Sequence, residues 1–132
     1  MSASAICLMG LIAWTIVLTF ILLGARGAAI MKGHAIAPFD QDGGDLAGFG
    51  TRVTRAHGNS LEWLVIPAAI LVYAMVTGQG EITDGLAMWV LYARLIQSIV
   101  HMISMSTPFI AVRGTMLTVQ IVIWIIWMAK LV

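Results

Sequence analysis

The chain has 132 residues, of which 61% are hydrophobic and 10% are charged, with a formal net charge of +1. A soluble domain usually carries about 25% charged residues, so the composition excludes an ordinary water-soluble fold and favours lipid as the surrounding medium. The chain has neither a basic run nor a basic face, which excludes a nucleic-acid partner.

Four segments are apolar and long enough to cross a bilayer, which takes about 20 predominantly apolar residues. The predicted helices cover about 5–26, 49–77, 85–106 and 111–131. The first lacks the basic start and short core of a signal peptide, so we expect it to be retained. We therefore predict an all-α integral membrane protein with a single domain over 1–132.

The connections between these helices indicate how they pack. The first, Gly27–Gly50, is the only long one and contains Pro38 and three aspartates. The second is short, and Thr83 or Asp84 in it is expected to cap the third helix. The last is very short and contains Pro108. Short connections favour antiparallel neighbours, so an up-down four-helix bundle is expected.

Lysine and arginine are distributed unequally between the two ends of the predicted bundle. One end has Arg26, Lys32, Arg52, Arg55 and Arg113, whereas the other has only Lys130. The positive-inside rule then predicts that loops one and three are cytoplasmic and that both termini lie outside. The membrane is expected to be the inner membrane of a bacterium or an ER-like membrane.

Polar residues form a stripe on the second predicted helix. Arg52, Arg55, Asn59 and Glu62 fall within an arc of about 80° at 100° per residue, whereas His57 lies on the far side. Charges inside a span are expensive and mark functional sites. The stripe is therefore expected to face the bundle, a partner subunit or a wet cavity.

The third predicted helix has a matching stripe. Arg94, Gln97, Ser98 and His101 follow the spacing i, i+3, i+4 and i+7, which places them on one helical face. Arg94 is near the middle of its span and needs an anionic partner or several acceptors. Since Glu62 is the only acid placed within a span, we expect it near Arg94, directly or through a ligand or water.

Arg26 closes the first helix and Arg113 opens the fourth at the same end. Together with the two stripes they predict a cationic pocket near the cytoplasmic interface. Arginine binds carboxylates with a two-donor fork, and Glu62 is suited to hold an ammonium group. This pattern favours an amino-acid or peptide-like ligand. The three histidines lack metal-ligand spacing, so no metal site is predicted.

The run Arg52–Glu62 resembles the second-helix signature of the membrane-associated proteins in eicosanoid and glutathione metabolism, the MAPEG family. The core of that signature is present as Arg55, Ala56, His57, Asn59 and Glu62. The chain length, the four spans, the long first loop and Arg113 at the start of the fourth helix agree with it, so the resemblance covers nearly the whole chain.

The resemblance implies a homotrimer that binds glutathione between subunits near the cytoplasmic side and acts on a lipophilic small molecule taken from the membrane lipid. The implied reactions are thiol transfer to an electrophile, isomerisation or peroxide reduction. Arg113 would be catalytic, since a cation beside a thiol lowers its pKa. The glutathione-binding positions would be Arg26, Arg52, Arg55, Asn59, Glu62, Arg94, Gln97 and His101.

Gly58 stands where several members of this family have Arg, and His101 where many have Tyr. Gln97 and Gly114 stand where the prostaglandin-producing branch has His and Ser. The changes at Gly58, Gln97 and His101 motivate an alternative, a lipid-binding or scaffold member of the same fold that does no chemistry. A second alternative is a small proton-coupled exporter. Such exporters need an acid in the first span, and Ala5–Ala25 contains none.

Overall fold

The computed structural model describes residues 1–132 as five α-helices. They are α1 (Ala3–Met31), α2 (Phe49–Glu62), α3 (Val65–Val76), α4 (Gly80–Ile103) and α5 (Thr107–Leu131). Since α2 and α3 together form one apolar segment of 28 residues, the chain has four segments that are long and apolar enough to cross a membrane. The predicted all-α membrane architecture is confirmed.

The second predicted helix is interrupted, so its continuous form was wrong. The chain turns at Trp63 and Leu64, between α2 and α3. Pro67 explains the break, because it has no N–H to donate and its ring crowds the carbonyl four residues earlier, on Trp63. The Leu64 N–H bonds instead to Leu61 O at 3.4 Å, and the helical ladder resumes with Ala68 N–H to Leu64 O at 3.1 Å.

The other helices are longer than the sequence predicts. α1 continues to Met31, five residues past the predicted end at residue 26, because charge at Arg26 sets membrane depth and does not stop a helix. α4 begins at Gly80 and α5 at Thr107, ahead of the predicted 85 and 111. Pro108 lies in the first turn of α5, where its missing N–H has no helical partner to lose.

Hydrogen bonds join the N-terminal ends of α1 and α4. Ser4 donates from its backbone N–H and its hydroxyl to Asp84 Oδ1, at 2.9 and 2.6 Å, and its Oγ lies 2.5 Å from Thr83 Oγ1. Thr83 and Asp84 therefore join two helices, whereas Gln79 occupies the N-cap of α4. The bundle end that holds these starts and both chain termini is called the termini end, and the opposite one the arginine end.

α4 is the central helix, and it packs against α5, α1, α2 and α3. The half of the bundle toward the termini end has an apolar core from four helices: Cys7, Leu11, Ile70, Leu71, Ala74, Ala87, Val90, Leu91, Ile123, Trp124, Trp127 and Leu131. In the other half α4 buries polar side chains instead, namely Arg94, Gln97, Ser98 and His101. The candidate site is in this polar half.

Candidate functional site

The first turns of α2 place two arginines at the arginine end of the bundle. Arg52 Nε donates to the backbone oxygen of Met102, near the end of α4, at 2.8 Å. Arg55 Nε donates to the backbone oxygen of Asp42 in loop one at 3.1 Å. Both guanidinium groups are held by neutral backbone acceptors, so their charge is not neutralised within the protomer.

Asn59 joins α2 to the buried polar face of α4. Its Oδ1 accepts from Arg94 Nη1 and from Gln97 Nε2, both at 3.0 Å. Arg94 and Gln97 are only 3% and 4% exposed. Asn59, and not Glu62, is therefore the direct partner of Arg94 within the protomer, and the proximity of Glu62 to Arg94 through a ligand or water stays a prediction. Asn59 is partly buried against α4, whereas Glu62, one turn further along α2, is exposed.

Gln120 of α5 extends this network, and sequence reasoning missed it. It is fully buried, and its Nε2 donates to Gln97 Oε1 at 2.9 Å and to the backbone oxygen of Met116 at 3.0 Å. The available signal was a lone amide inside an apolar span, which is costly without a partner. Nearby, the buried hydroxyls of Ser60 and Ser98 lie 3.1 Å apart and add a second α2–α4 contact.

No arginine forms an ion pair within the protomer. The one ion pair of the chain, at 2.9 Å, joins His34 and Asp45 within loop one. Among the enclosed polar atoms without a hydrogen-bond partner are Arg94 Nη2, His101 Nε2 and Arg113 Nε. A buried donor left without an acceptor costs about 1–3 kcal/mol. The two guanidinium nitrogens are therefore unused donors suited to an anionic group.

His101 on α4 and Arg113 on α5 bring two more nitrogen-bearing side chains toward Arg55. His101 is 6% exposed, and it is close enough to Arg55 and Arg113 to interact with them electrostatically. Arg55 and Arg113 are also within electrostatic range of each other. The structure thus brings together three predicted site residues from three helices.

Arg26 does not join this cluster within the protomer. It lines a separate cavity of about 400 Å³ between α1 and α2, whose walls include His57 and Gly58. Its guanidinium lies 5.0 Å from the ring centre of Phe39 in loop one. His57 bonds to Thr19 of α1 at 3.0 Å, as expected for a residue on the far side of α2. Arg26 and Arg113 therefore do not line a common cavity within one subunit, and their convergence in an assembly stays a prediction.

Glu62 and Gly58 define the open side of α2. Glu62 is exposed on a membrane-spanning segment and has no polar partner in the protomer. A side chain added at Gly58 would meet nothing within 4 Å. A carboxylate is expensive in hydrocarbon, so this surface needs a cover of protein, ligand or water.

Comparison with known protein families gives one finding for this chain. The family model described as MAPEG family matches residues 4–132, nearly the whole chain. The comparisons with curated proteins and with solved structures give no match.

Proposed function

Because the chain belongs to the MAPEG family, we propose that it is a glutathione-dependent membrane transferase or peroxidase acting on lipophilic electrophiles. The observation that carries the proposal is a set of enclosed nitrogens without hydrogen-bond partners, Arg94 Nη2, His101 Nε2 and Arg113 Nε, of which the two guanidinium nitrogens are donors. They are in a part of the protomer where no carboxylate pairs with any arginine. A tripeptide with two carboxylates supplies the missing acceptors.

The residues present fit glutathione by charge. Arg55 and Arg52 are held by neutral backbone oxygens, so both remain free to attract a carboxylate. Arg94 adds a buried cation deeper in the bundle. Glu62 is an exposed acid in the same span and is suited to the ammonium group. Glutathione would supply the thiol, which attacks the electrophilic atom of the second substrate.

Arg113 is the residue that we assign to the thiol. Its guanidinium is close enough to Arg55 to interact with it electrostatically, and its Nε is enclosed without a partner. A guanidinium in such a place stabilises a thiolate and raises the nucleophilic fraction at neutral pH. We propose Arg113→Ala as the test of catalysis, with Lys130→Ala, a cation at the termini end, as the matched control.

The expected result is a loss of turnover of about 100-fold or more in Arg113→Ala, as for removal of one transition-state donor. Turnover is measured with a chloronitroarene and with an organic hydroperoxide. Lys130→Ala should match the wild type. Equal turnover in wild type and Arg113→Ala would contradict the role of Arg113.

We also propose that the active form is a homotrimer with loops one and three in the cytoplasm and both termini outside. Glu62 and the cavity at Arg26 are on open surfaces of the protomer, and a neighbouring subunit would cover them and bring Arg26 to the shared site. A monomeric mass in mild detergent, in protein that still binds glutathione, would contradict this assembly.

Glutathione binding to the purified protein in detergent tests the proposal directly, by calorimetry. Glu62→Gln and Arg55→Ala should each weaken binding about tenfold, the effect of losing one charged hydrogen bond. Their controls are Glu81→Gln and Lys130→Ala, which remove one negative and one positive charge at the termini end. Absence of binding by the intact oligomer would overturn the glutathione proposal.

A second candidate function is lipid binding without chemistry. A cavity of about 360 Å³ between α3 and α5 is lined only by apolar side chains: Trp63, Ile66, Ile121, Trp124, Ile125 and Met128. Such a groove suits an acyl chain. Under this alternative a lipid copurifies and the wild type shows no turnover. Wild-type turnover that Arg113→Ala abolishes would exclude it.

A further inference from the structure

Three side-chain amides, those of Gln120, Gln97 and Asn59, form a chain of hydrogen bonds in which the donor and the acceptor of each bond are fixed. A backbone oxygen can only accept, so the Gln120 amide nitrogen must face Met116 O, at 3.0 Å. The same nitrogen donates its second hydrogen to Gln97 Oε1, at 2.9 Å. Gln97 must then turn its own nitrogen toward Asn59, whose Oδ1 accepts at 3.0 Å.

Arg94 imposes the same orientation on Asn59 independently. A guanidinium has no acceptor, and Arg94 Nη1 lies 3.0 Å from the same Oδ1. Because Arg94 and Gln97 both donate to its side-chain oxygen, Asn59 directs its amide nitrogen away from α4. That nitrogen has no partner in the protomer and is not among the enclosed unpartnered atoms. It therefore reaches the open side of α2.

We infer that Gln120 is a positioning residue that acts through Gln97 to hold Asn59 as a hydrogen-bond donor toward the ligand. The ligand atom that meets Asn59 is then an acceptor, such as a carboxylate or peptide carbonyl oxygen, and the ammonium group must lie elsewhere. Gln120 is fully buried on α5 and acts without touching the ligand. The identity of the ligand as glutathione rests on the proposed function.

The side-chain amide of Asn59 can be observed selectively, because Asn59 is the only asparagine in the chain. Protein labelled with 15N-asparagine in detergent gives a single side-chain NH2 pair in an NMR spectrum. Adding glutathione should shift this pair in the wild type. Gln120→Met keeps the length of the side chain but removes its donors, so it should shift the pair before any ligand is added.

Gln120→Met should also weaken glutathione binding about tenfold by calorimetry, because Asn59 loses its fixed orientation. Gln79→Met makes the same chemical change at the termini end, where the side chain of Gln79 bonds only to Thr77. This control should leave both the NH2 pair and the affinity unchanged.

Asn59→Asp separates a donor role from a structural one. Aspartate still offers an inward oxygen to Arg94 and Gln97, so the fold and the oligomer should persist. It presents a second oxygen outward in place of the donor. Glutathione affinity should fall about tenfold or more. Unchanged affinity in Asn59→Asp would show that Asn59 only supports Arg94.

The outcomes distinguish this inference from the proposed function. Glutathione binding without any change in the Asn59 NH2 pair would overturn the inference and leave the function standing. Absence of binding in the wild type would overturn the function and the assignment of the ligand acceptor. In either case the spectrum without ligand tests whether Gln120 positions Asn59. If Gln120→Met does not shift the Asn59 NH2 pair, the positioning role is overturned.

Discussion

The two halves of the bundle handle polar groups in opposite ways. Toward the termini end, Ser4, Thr83 and Asp84 bond to one another around an apolar core. The enclosed donors without partners in that half include the indole nitrogens of Trp124 and Trp127, which are neutral. Toward the arginine end, α4 buries charged and polar side chains, and guanidinium and imidazole nitrogens remain without acceptors.

The difference separates polar residues that build the fold from those kept for binding. A satisfied buried network rigidifies a structure, whereas an unsatisfied one destabilises it unless a ligand, water or subunit completes it. The apolar half and its Ser4–Asp84 contact are therefore expected to supply most of the stability. The polar half is expected to gain stability when its ligand binds, since a ligand that binds the folded state stabilises it.

Among the substitutions that test the contrast between the two halves, Arg94→Met should have the largest effect. Binding of glutathione should fall about tenfold, as expected on losing a charged hydrogen bond. The stability of the unliganded protein should stay the same or rise, because a charged side chain in a span costs about 2.5–3.5 kcal/mol. Calorimetry and thermal unfolding in detergent measure the two effects. A large loss of stability with intact binding would assign Arg94 to the fold instead.

Ser4→Ala should show the opposite pattern. It removes the buried hydroxyl that bonds to Thr83 and Asp84, so the free energy of unfolding should fall by about 1–2 kcal/mol. Glutathione affinity should not change. Ser106→Ala, which removes an exposed hydroxyl at the start of α5, is the control for thermal unfolding. Weaker binding in Ser4→Ala would show that the two halves are coupled.

The smallest expected effect concerns loop one. The backbone oxygen of Ala35 and the Asp45 carboxylate both accept from the His34 ring, which raises the pKa of His34 above its usual 6.5. Desolvation alone would raise the pKa of Asp45, but hydrogen bonds from the Asp40 N–H and from His34 outweigh it and lower that pKa below 3.8.

The pair therefore stabilises loop one over a defined range of pH. The His34 contribution is fully present below pH 6.5 and is lost as pH rises through its raised pKa. The Asp45 contribution is present above pH 3.8 and is lost as pH falls through its lowered pKa. An NMR titration of the His34 ring should have its midpoint above 6.5, and Asp45→Asn should lower it. Asp42→Asn is the control, and a midpoint at or below 6.5 in the wild type would contradict the pairing.

The sequence was sufficient to predict the all-α fold and the number of spans, because apolar length alone decides both. It was also sufficient for the polar faces of α2 and α4, whose spacing is periodic. It could not select Asn59 over Glu62 as the partner of Arg94. The two residues are about one helical turn apart, so the choice depends on how far α2 is shifted and rotated against α4. The placement of Arg26 depends on packing between α1 and α2, which no local pattern records.

Gln120 and the break at Trp63 were missed for different reasons. Gln120 has no polar neighbour in sequence, so its importance comes only from contact with Gln97 across helices. Pro67 is present in the sequence, but Phe49–Val76 is still long and apolar enough to be predicted as a single span. Proline within a span is tolerated in many membrane helices, so its presence alone did not locate a break. The assignment of one domain and of the binding residues remains a prediction.

The interruption between α2 and α3 has a mechanical consequence. A continuous helix transmits a tilt along its whole length, whereas one that lacks the ladder bonds of Leu64 and Pro67 bends there first. Bilayers differ in thickness, and spanning helices adapt by tilting. Helix α3 can therefore change its tilt to fit a thicker or thinner membrane. Arg55 and Asn59 lie in α2, on the other side of the interruption, and keep their positions against α4.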